Sequence, residues 1–415
     1  MRKVRKINKY ITAFFCLQFI ILGSLPAKAE EKKEILTYAV QKVVYDAGLE
    51  IEQKQYQKAE KRLLEYISKN SKNPHYLVEF ILGNALALSG QDKKALAHYA
   101  ASADFKPDYA PAWQNMAKIY SDMKQYEKAG DCLLKTYEFM KKKDSSMLYN
   151  AAAFFIMAGK DAKSLPYLEA LMSQDEEKIK IIWVEAFLKV CMNLQHKKKA
   201  IKIISELIDK NKNDPELWKM LGRVYLWQKK YKKALAALII RSYLTPLNEK
   251  EDFLLLGDLS NFVGMPLKAA GYYEQAIEID RQPESLIYEK LASAYIFGHR
   301  DTRAAEVLNK ALVKKPCATL WFMLGQILYR KEKFNKAYQA FNKGVSPNLK
   351  NGLKNGLKND SKNGQAYLMM GYCALNIKDK QKAWPAFKKA AGFPKQRKNA
   401  KEMLKYLSEL SMKNK

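Results

Sequence analysis

Ser121-Asp122-Met123-Lys124 is the one tetrad in this 415-residue chain with the S-x-x-K spacing that lets a lysine activate a serine nucleophile. The companion S-D-N and K-T-G elements are absent, and the tetrad falls where a polar turn between two helices is expected. The four histidines, His75, His98, His196 and His299, have no second histidine or cysteine at metal-ligand spacing. Asp175-Glu176-Glu177 is a short acidic cluster of the kind that begins a helix, where the helix dipole favours negative charge. No phosphate-binding loop, H-E-x-x-H, C-x-x-C or G-x-S-x-G is present, so the common hydrolase, metal and nucleotide signatures are missing. The sequence therefore predicts no catalytic residue, no cofactor site and no metal site, and the chain is expected not to be an enzyme.

The elements that would position any functional side chain follow from a period. A block reading Trp218-x2-Leu221-Gly222-x2-Tyr225, then Tyr231-x2-Ala234, Leu238 and Pro246, has a second copy in Trp113, Tyr120, Tyr126 and Ala129. The small residue of each block falls at Ala59, Ala95, Ala129, Ser164, Ala200, Ala234, Ala269, Ala304, Ala337 and Ala383. Consecutive marks lie about 35 residues apart except at the last step, a period in the range of stacked helix pairs. The apolar stripe of the first helix buries only against its neighbours, and the small residue admits the second helix closely.

The long last step is explained by residues 346–364, where Leu-Lys-Asn-Gly repeats from Leu349, as a low-complexity basic insertion in a turn. Units at about 144–214 are degenerate: Ser164 and Leu188 depart from the small-residue pattern, which predicts a bend there. Past Pro394 the period stops. Ala400, Met403, Leu404, Leu407 and Leu410 then form one stripe, suited to a capping helix with a basic tail over 395–415.

This pattern resembles the tetratricopeptide repeat (TPR) family over nearly the whole chain after residue 30. The resemblance implies an all-α fold, a right-handed α-solenoid of about ten TPR helix pairs over 30–394 with a C-terminal capping helix. It also implies a concave groove that holds an extended peptide or a partner helix. The groove positions it assigns are Phe80, Asn84, Lys219, Arg223, Trp227, Phe262, Phe297, Phe322, Tyr329 and Tyr372, where aromatic anchors bury much area with little rotamer loss. Any of these can instead pack between neighbouring units as ordinary core. Lys219 with Arg223 is similar to the basic half of the carboxylate clamp of chaperone-binding TPR domains, although the clamp's Asn partners are not at matching positions in the two preceding units. The run from Pro74 to Ala87, with Ala110 to Asn115, resembles exported TPR proteins associated with TonB/ExbB/ExbD-type energised outer-membrane transport.

Residues 1–29 place five Lys and Arg before an apolar run of about 15 residues that ends at Pro26-Ala27-Lys28-Ala29. This has the layout of a cleavable signal peptide, too short to span a bilayer, and predicts export to the periplasm. The formal net charge of +30 falls to about +24 without those residues. Only ten of the 73 basic residues are Arg, the side chain suited to bidentate phosphate readout, and an exported protein does not meet nucleic acid. The charge then predicts either a solvated Lys-rich surface or attraction to an anionic membrane surface, cell-wall polymer or acidic partner. Cys132, Cys191, Cys317 and Cys373 lie in different units and are expected as mostly buried free thiols. The function that fits is a periplasmic scaffold or adaptor, with TonB/ExbB/ExbD-type components as partners. The alternatives are an envelope-assembly factor and a non-catalytic enzyme subunit.

Overall fold

The computed structural model describes residues 36–71, 75–174, 179–280, 282–346 and 359–412. The signal-peptide expectation, Asp175-Glu176-Glu177 and most of the 346–364 insertion lie outside them. Twenty-one α-helices and no strand occur among the described residues. Helices of odd number (A) and even number (B) alternate: α1 Tyr38–Glu52, α2 Tyr56–Lys69, α3 Tyr76–Leu88, α4 Asp92–Phe105, α5 Ala110–Asp122, α6 Tyr126–Phe139 and α7 Ser145–Met157. There follow α8 Asp161–Met172, α9 Ile181–Asn193, α10 Lys197–Lys210, α11 Pro215–Trp227, α12 Tyr231–Leu244, α13 Lys250–Phe262 and α14 Pro266–Ile279. The series ends with α15 Ser285–Phe297, α16 Asp301–Lys314, α17 Ala318–Arg330, α18 Phe334–Gly344, α19 Asn359–Asn376, α20 Lys380–Ala391 and the lone α21 Arg397–Met412.

The chain divides into two compact units, Met1–Ala158 and Gly159–Lys415. The division falls inside the first of the degenerate repeats. Within each unit every helix packs on the next, and some A helices also meet the A helix of the following pair, α1 with α3 and α15 with α17. α21 packs on α20 and its Ala400 and Leu407 are buried there, as a cap requires. Residues 359–364, counted within the insertion from sequence, are the first turns of α19.

Each of the ten marker residues from Ala59 to Ala383 is the fourth residue of its B helix and is fully buried. Sixteen residues separate a slot in the A helix from the B side chain that covers it. Where the slot is Gly, an added Cβ would stand 2.6 Å from Tyr99 at Gly83, 2.5 Å from Tyr273 at Gly257, 2.6 Å from Phe341 at Gly325 and 2.4 Å from Phe387 at Gly371. Where the slot is larger, the covering residue is smaller. Ala47 faces the Leu63 position, Ala117 the Leu133 position, Ala292 the Leu308 position and Leu188 the Ile204 position, all buried. Gly222 with Leu238 is intermediate. The slot and its cover thus trade volume, as close-packed interiors demand.

The three-residue A-to-B turns are uniform. In each, the middle residue is left-handed: Lys54, Gly90, Lys124, Gly159, Gln195, Lys229, Gly264, His299, Glu332 and Lys378. The amide after it reaches back to a carbonyl five residues earlier, as in Lys230 N to Tyr225 O at 2.9 Å and Gln125 N to Tyr120 O at 2.8 Å, satisfying the helix C-terminus. Lys124 of the S-x-x-K tetrad is one of these turn residues, and His299 is another. His75 caps α3 by accepting from Leu77 N at 3.2 Å. Cys132, Cys191 and Cys373 are buried free thiols, raised to about 12 chiefly by desolvation, and Cys317 is a half-buried free thiol.

Candidate protein-interaction surface

The fifth, ninth and thirteenth residues of the A helices lie off the buried stripe, except the buried Glu50 and Gly371, and the ten residues selected from sequence occupy those places or their neighbours. They divide into two sets. Phe80 packs edge-on to Tyr109 with ring centroids 5.1 Å apart, and lies 5.8 Å from Tyr99. Phe322 lies 5.6 Å from Phe341, Tyr329 is 5.3 Å from Phe334, and Tyr372 is 5.4 Å from Phe387. Asn84 accepts from Tyr99 Oη at 2.7 Å and Asn115 Nδ2 at 2.9 Å. These five are half-buried and already engaged by neighbouring helices, the packing role that the sequence left open for each of them. Aromatic area at these positions serves the helix packing itself.

The second set is Lys219, Arg223, Trp227, Phe262 and Phe297. Arg223 is exposed and has no ion-pair partner among the described residues, and Lys219 pairs only with Glu216 on its own helix at 3.2 Å. Trp227 is half-buried, whereas Phe262 and Phe297 are 67% and 68% exposed. These three are the last residues of α11, α13 and α15, 35 residues apart each time, and so stand at the A-to-B turns. The terminal residue of an A helix meets the start of the preceding B helix. Asn193 bonds to Asp161 at 2.8 Å, and Lys197 Nζ sits 5.3 Å from the Trp227 ring. Phe262 lies 4.3 Å from Tyr231, and Arg330 bonds Asp301 at 2.7 Å. Consecutive turns are thereby joined into one edge of the second unit.

Two polar triads escaped sequence reasoning. In the second pair Asn84 joins Tyr99 of its own B helix to Asn115 of the next A helix. In the seventh pair Asp258 accepts from Tyr273 Oη at 2.7 Å and from Lys290 Nζ at 2.6 Å. Burial, the adjacent hydrogen bond and the charge of Asp258 all push the Tyr273 phenol up. The matching spacings, 15 residues to the tyrosine and about 31 to the next helix, were legible in principle. In the first unit, Glu50 is 5% exposed and receives Arg62 Nη2 at 2.7 Å. That hydrogen bond, with the Arg62 charge, holds its carboxyl below the usual range although desolvation opposes it. The nearly buried Glu79 meets His98 Nδ1 at 2.7 Å. The indoles of Trp113 and Trp218 donate to Pro107 O and Lys212 O, each at 2.8 Å, so the Trp slot tethers the joint before its helix. Among the described residues no cluster of His, Cys, Asp and Glu could hold a metal ion, and no helix is long and apolar enough to cross a membrane.

Models of the tetratricopeptide repeat match residues 110–139 and 289–348. No curated protein matches the sequence. Solved structures similar to the chain include a tetratricopeptide repeat protein from Parabacteroides merdae ATCC 43184, at 15% identity over 62% of this chain and 99% of that one, with a TM-score of 0.32. Cut9 with Hcn1 of an APC/C hetero-tetramer is similar at 13% identity over 91% of each chain, TM-score 0.32. YrrB, described as a TPR protein with an unusual peptide-binding site, is similar at 16% identity over 54% of this chain and 94% of that one, TM-score 0.25. The matched segments cover α5 with α6 and the stretch from α15 to α18, whose turn, fourth-residue marker and sixteen-residue slot recur in the other helix pairs. Residues 110–139 and 289–348 are thus similar to the tetratricopeptide repeat, and the chain is an all-α array of helix pairs that share their turn and slot.

Proposed function

We propose that the protein is an exported, periplasmic scaffold that holds an extended segment or helix of another protein against α11, α13 and α15. Tetratricopeptide repeats are typically non-catalytic scaffolds for protein interaction. The observation that carries the reading is Arg223, an exposed cation with no ion-pair partner among the described residues, one helical turn from Trp227 and on the helix that also bears Lys219. An acidic side chain on Arg223 and an apolar one against Trp227 would anchor a partner at two points, the pairing of charge and aromatic area that dominates interface energetics. The resemblance of residues 74–115 to TonB-associated exported TPR proteins makes TonB/ExbB/ExbD-type components the proposed partners, and residues 1–29 the export signal.

Photo-cross-linking from position 226 in intact envelopes tests this. Recovery of an inner-membrane motor protein, lost in Arg223→Ala, is the expected result. A well-expressed bait that captures no motor component refutes the motor assignment, and unchanged capture by Arg223→Ala with Trp227→Ala refutes the surface. The alternative of an envelope-assembly factor is favoured by the Lys-rich turns of the second unit.

A further inference from the structure

The two edges of the second unit differ in charge. From Leu194 to Lys382 there are six A-to-B turns. Each three-residue turn with the three helix residues after it holds, summed over the six, sixteen Lys and Arg against three Asp and Glu. Two of those acids, Asp301 and Asp379, are already paired with Arg330 and Lys382. The B-to-A joints between α10 and α17 carry three basic residues against four acidic ones. The positive charge therefore collects on the edge where the A helices end. The contacts from Asn193–Asp161 to Arg330–Asp301 join the turns of this edge into a continuous strip.

One turn in the middle of the strip is different. Val263-Gly264-Met265, with Pro266 and Leu267 after it, carries no charge; Gly264 takes the left-handed slot, and Phe262 precedes it. Its side chains stand outward, with Met265 49% and Leu267 45% exposed. Leu267 reaches the next turn at Gly298, beside the exposed Phe297. An apolar prong is thus flanked on one side by Lys198, Lys230 and Lys232 and on the other by Lys333 and Lys336, all exposed.

We infer that this edge docks the second unit on an anionic lipid surface, with Phe262, Met265, Leu267 and Phe297 entering the headgroup layer and the flanking lysines lying over it. Charge complementarity selects this occupant. The strip is almost all Lys, a hydrated point charge on a flexible stem, which suits a laterally mobile field of headgroups better than fixed carboxylates needing bidentate geometry. Apolar and aromatic tips ringed by lysine match the two layers of a membrane interface, hydrocarbon boundary below and phosphate above. The inference does not depend on the proposed partner, whose anchors Arg223 and Trp227 are left intact by the variants below.

The full chain is mixed with vesicles of phosphatidylcholine alone and with vesicles containing 30% phosphatidylglycerol, and the bound fraction is measured by sedimentation. Three proteins are compared: wild type, Met265→Ser with Leu267→Ser, and Lys198→Glu, Lys230→Glu, Lys232→Glu with Lys333→Glu. Binding to neutral vesicles, to which residues 1–29 contribute equally, should be the same for all three. The additional affinity on anionic vesicles should fall at least tenfold in each variant and in wild type at 0.5 M salt. The glutamates fall at or near B-helix N-termini, where negative charge suits the dipole, so circular dichroism should show folded protein. Equal binding of both folded variants and wild type to anionic vesicles overturns the inference. Absence of any anionic preference, with capture of polyglutamate instead, overturns it in favour of an acidic protein.

Discussion

Replacing Gly325 by Ala tests whether slot and cover are one packing unit. The new Cβ would meet Phe341 Cε1 at 2.6 Å, Cδ1 at 2.7 Å and Cζ at 2.9 Å, where carbon atoms prefer about 3.5–4.0 Å. The ring has to retreat by about 1 Å, yet Phe341 is fully buried and packed with Ala337, Met370 and Phe322. Overpacking of this kind costs about 1–3 kcal/mol. Ala restores about 1 kcal/mol of helix propensity over Gly, so the net loss is up to about 2 kcal/mol. Phe341→Leu alone leaves a cavity and costs about 1–2 kcal/mol. Together they rebuild the Ala292 and Leu308 pair found one repeat earlier, so the double variant should lie within about 0.5 kcal/mol of wild type, with a favourable coupling of about 2 kcal/mol. Because repeat arrays open locally, the assay is hydrogen exchange of the amides of Ala318–Gly344 in the full chain. Additive single effects, or Gly325→Ala more stable than wild type, would refute the volume-exchange argument.

Lys229→Gly should stabilise the second unit by about 0.5–1 kcal/mol, because φ is 58° there and the side chain makes no use of it, whereas Gly264→Ala at φ 84° should cost about 1 kcal/mol; thermal melts check both. Glu50 ties stability to pH: its folded carboxyl lies below the ordinary value of 4.5, so its contribution is complete above that pH and is lost as pH falls further, through the lowered folded value. Arg62→Ala should remove this acid sensitivity from the first unit and lower its stability at pH 7, seen as a flatter melting profile between pH 3 and 6. Cys317 should react with a thiol reagent at pH 8 well before Cys132, Cys191 and Cys373, whose buried thiols are raised to about 12.

The period placed the repeats because it records a local requirement: a small side chain must stand wherever two helices cross closely, and all ten markers are buried. The cap was legible for the same reason, as a stripe with one open face to cover. The candidate surface was only half legible. Phe80, Phe322 and Tyr372 have the residue type of an anchor, but whether an aromatic at the fifth or ninth place faces solvent depends on the B helix opposite, which supplies Tyr99, Phe341 and Phe387 from sixteen residues beyond the slot. The charged strip was visible as composition and invisible as place. Its lysines come from turns about 35 residues apart, and only the stacking of pairs sets them side by side.

Every A-to-B turn has three residues, whereas the B-to-A joints run from three, before α17, to fourteen, before α19. A left-handed middle residue and a backward hydrogen bond fix the first kind, so one added residue there would turn the B helix out of register. The second kind shares no left-handed residue of this sort among the described residues. The longest joint by sequence, 345–358, holds the low-complexity run. The structural module is therefore the hairpin, so a tag, a probe or a transplanted hairpin belongs at a joint such as 245–249, whose counterparts elsewhere in the chain differ in length.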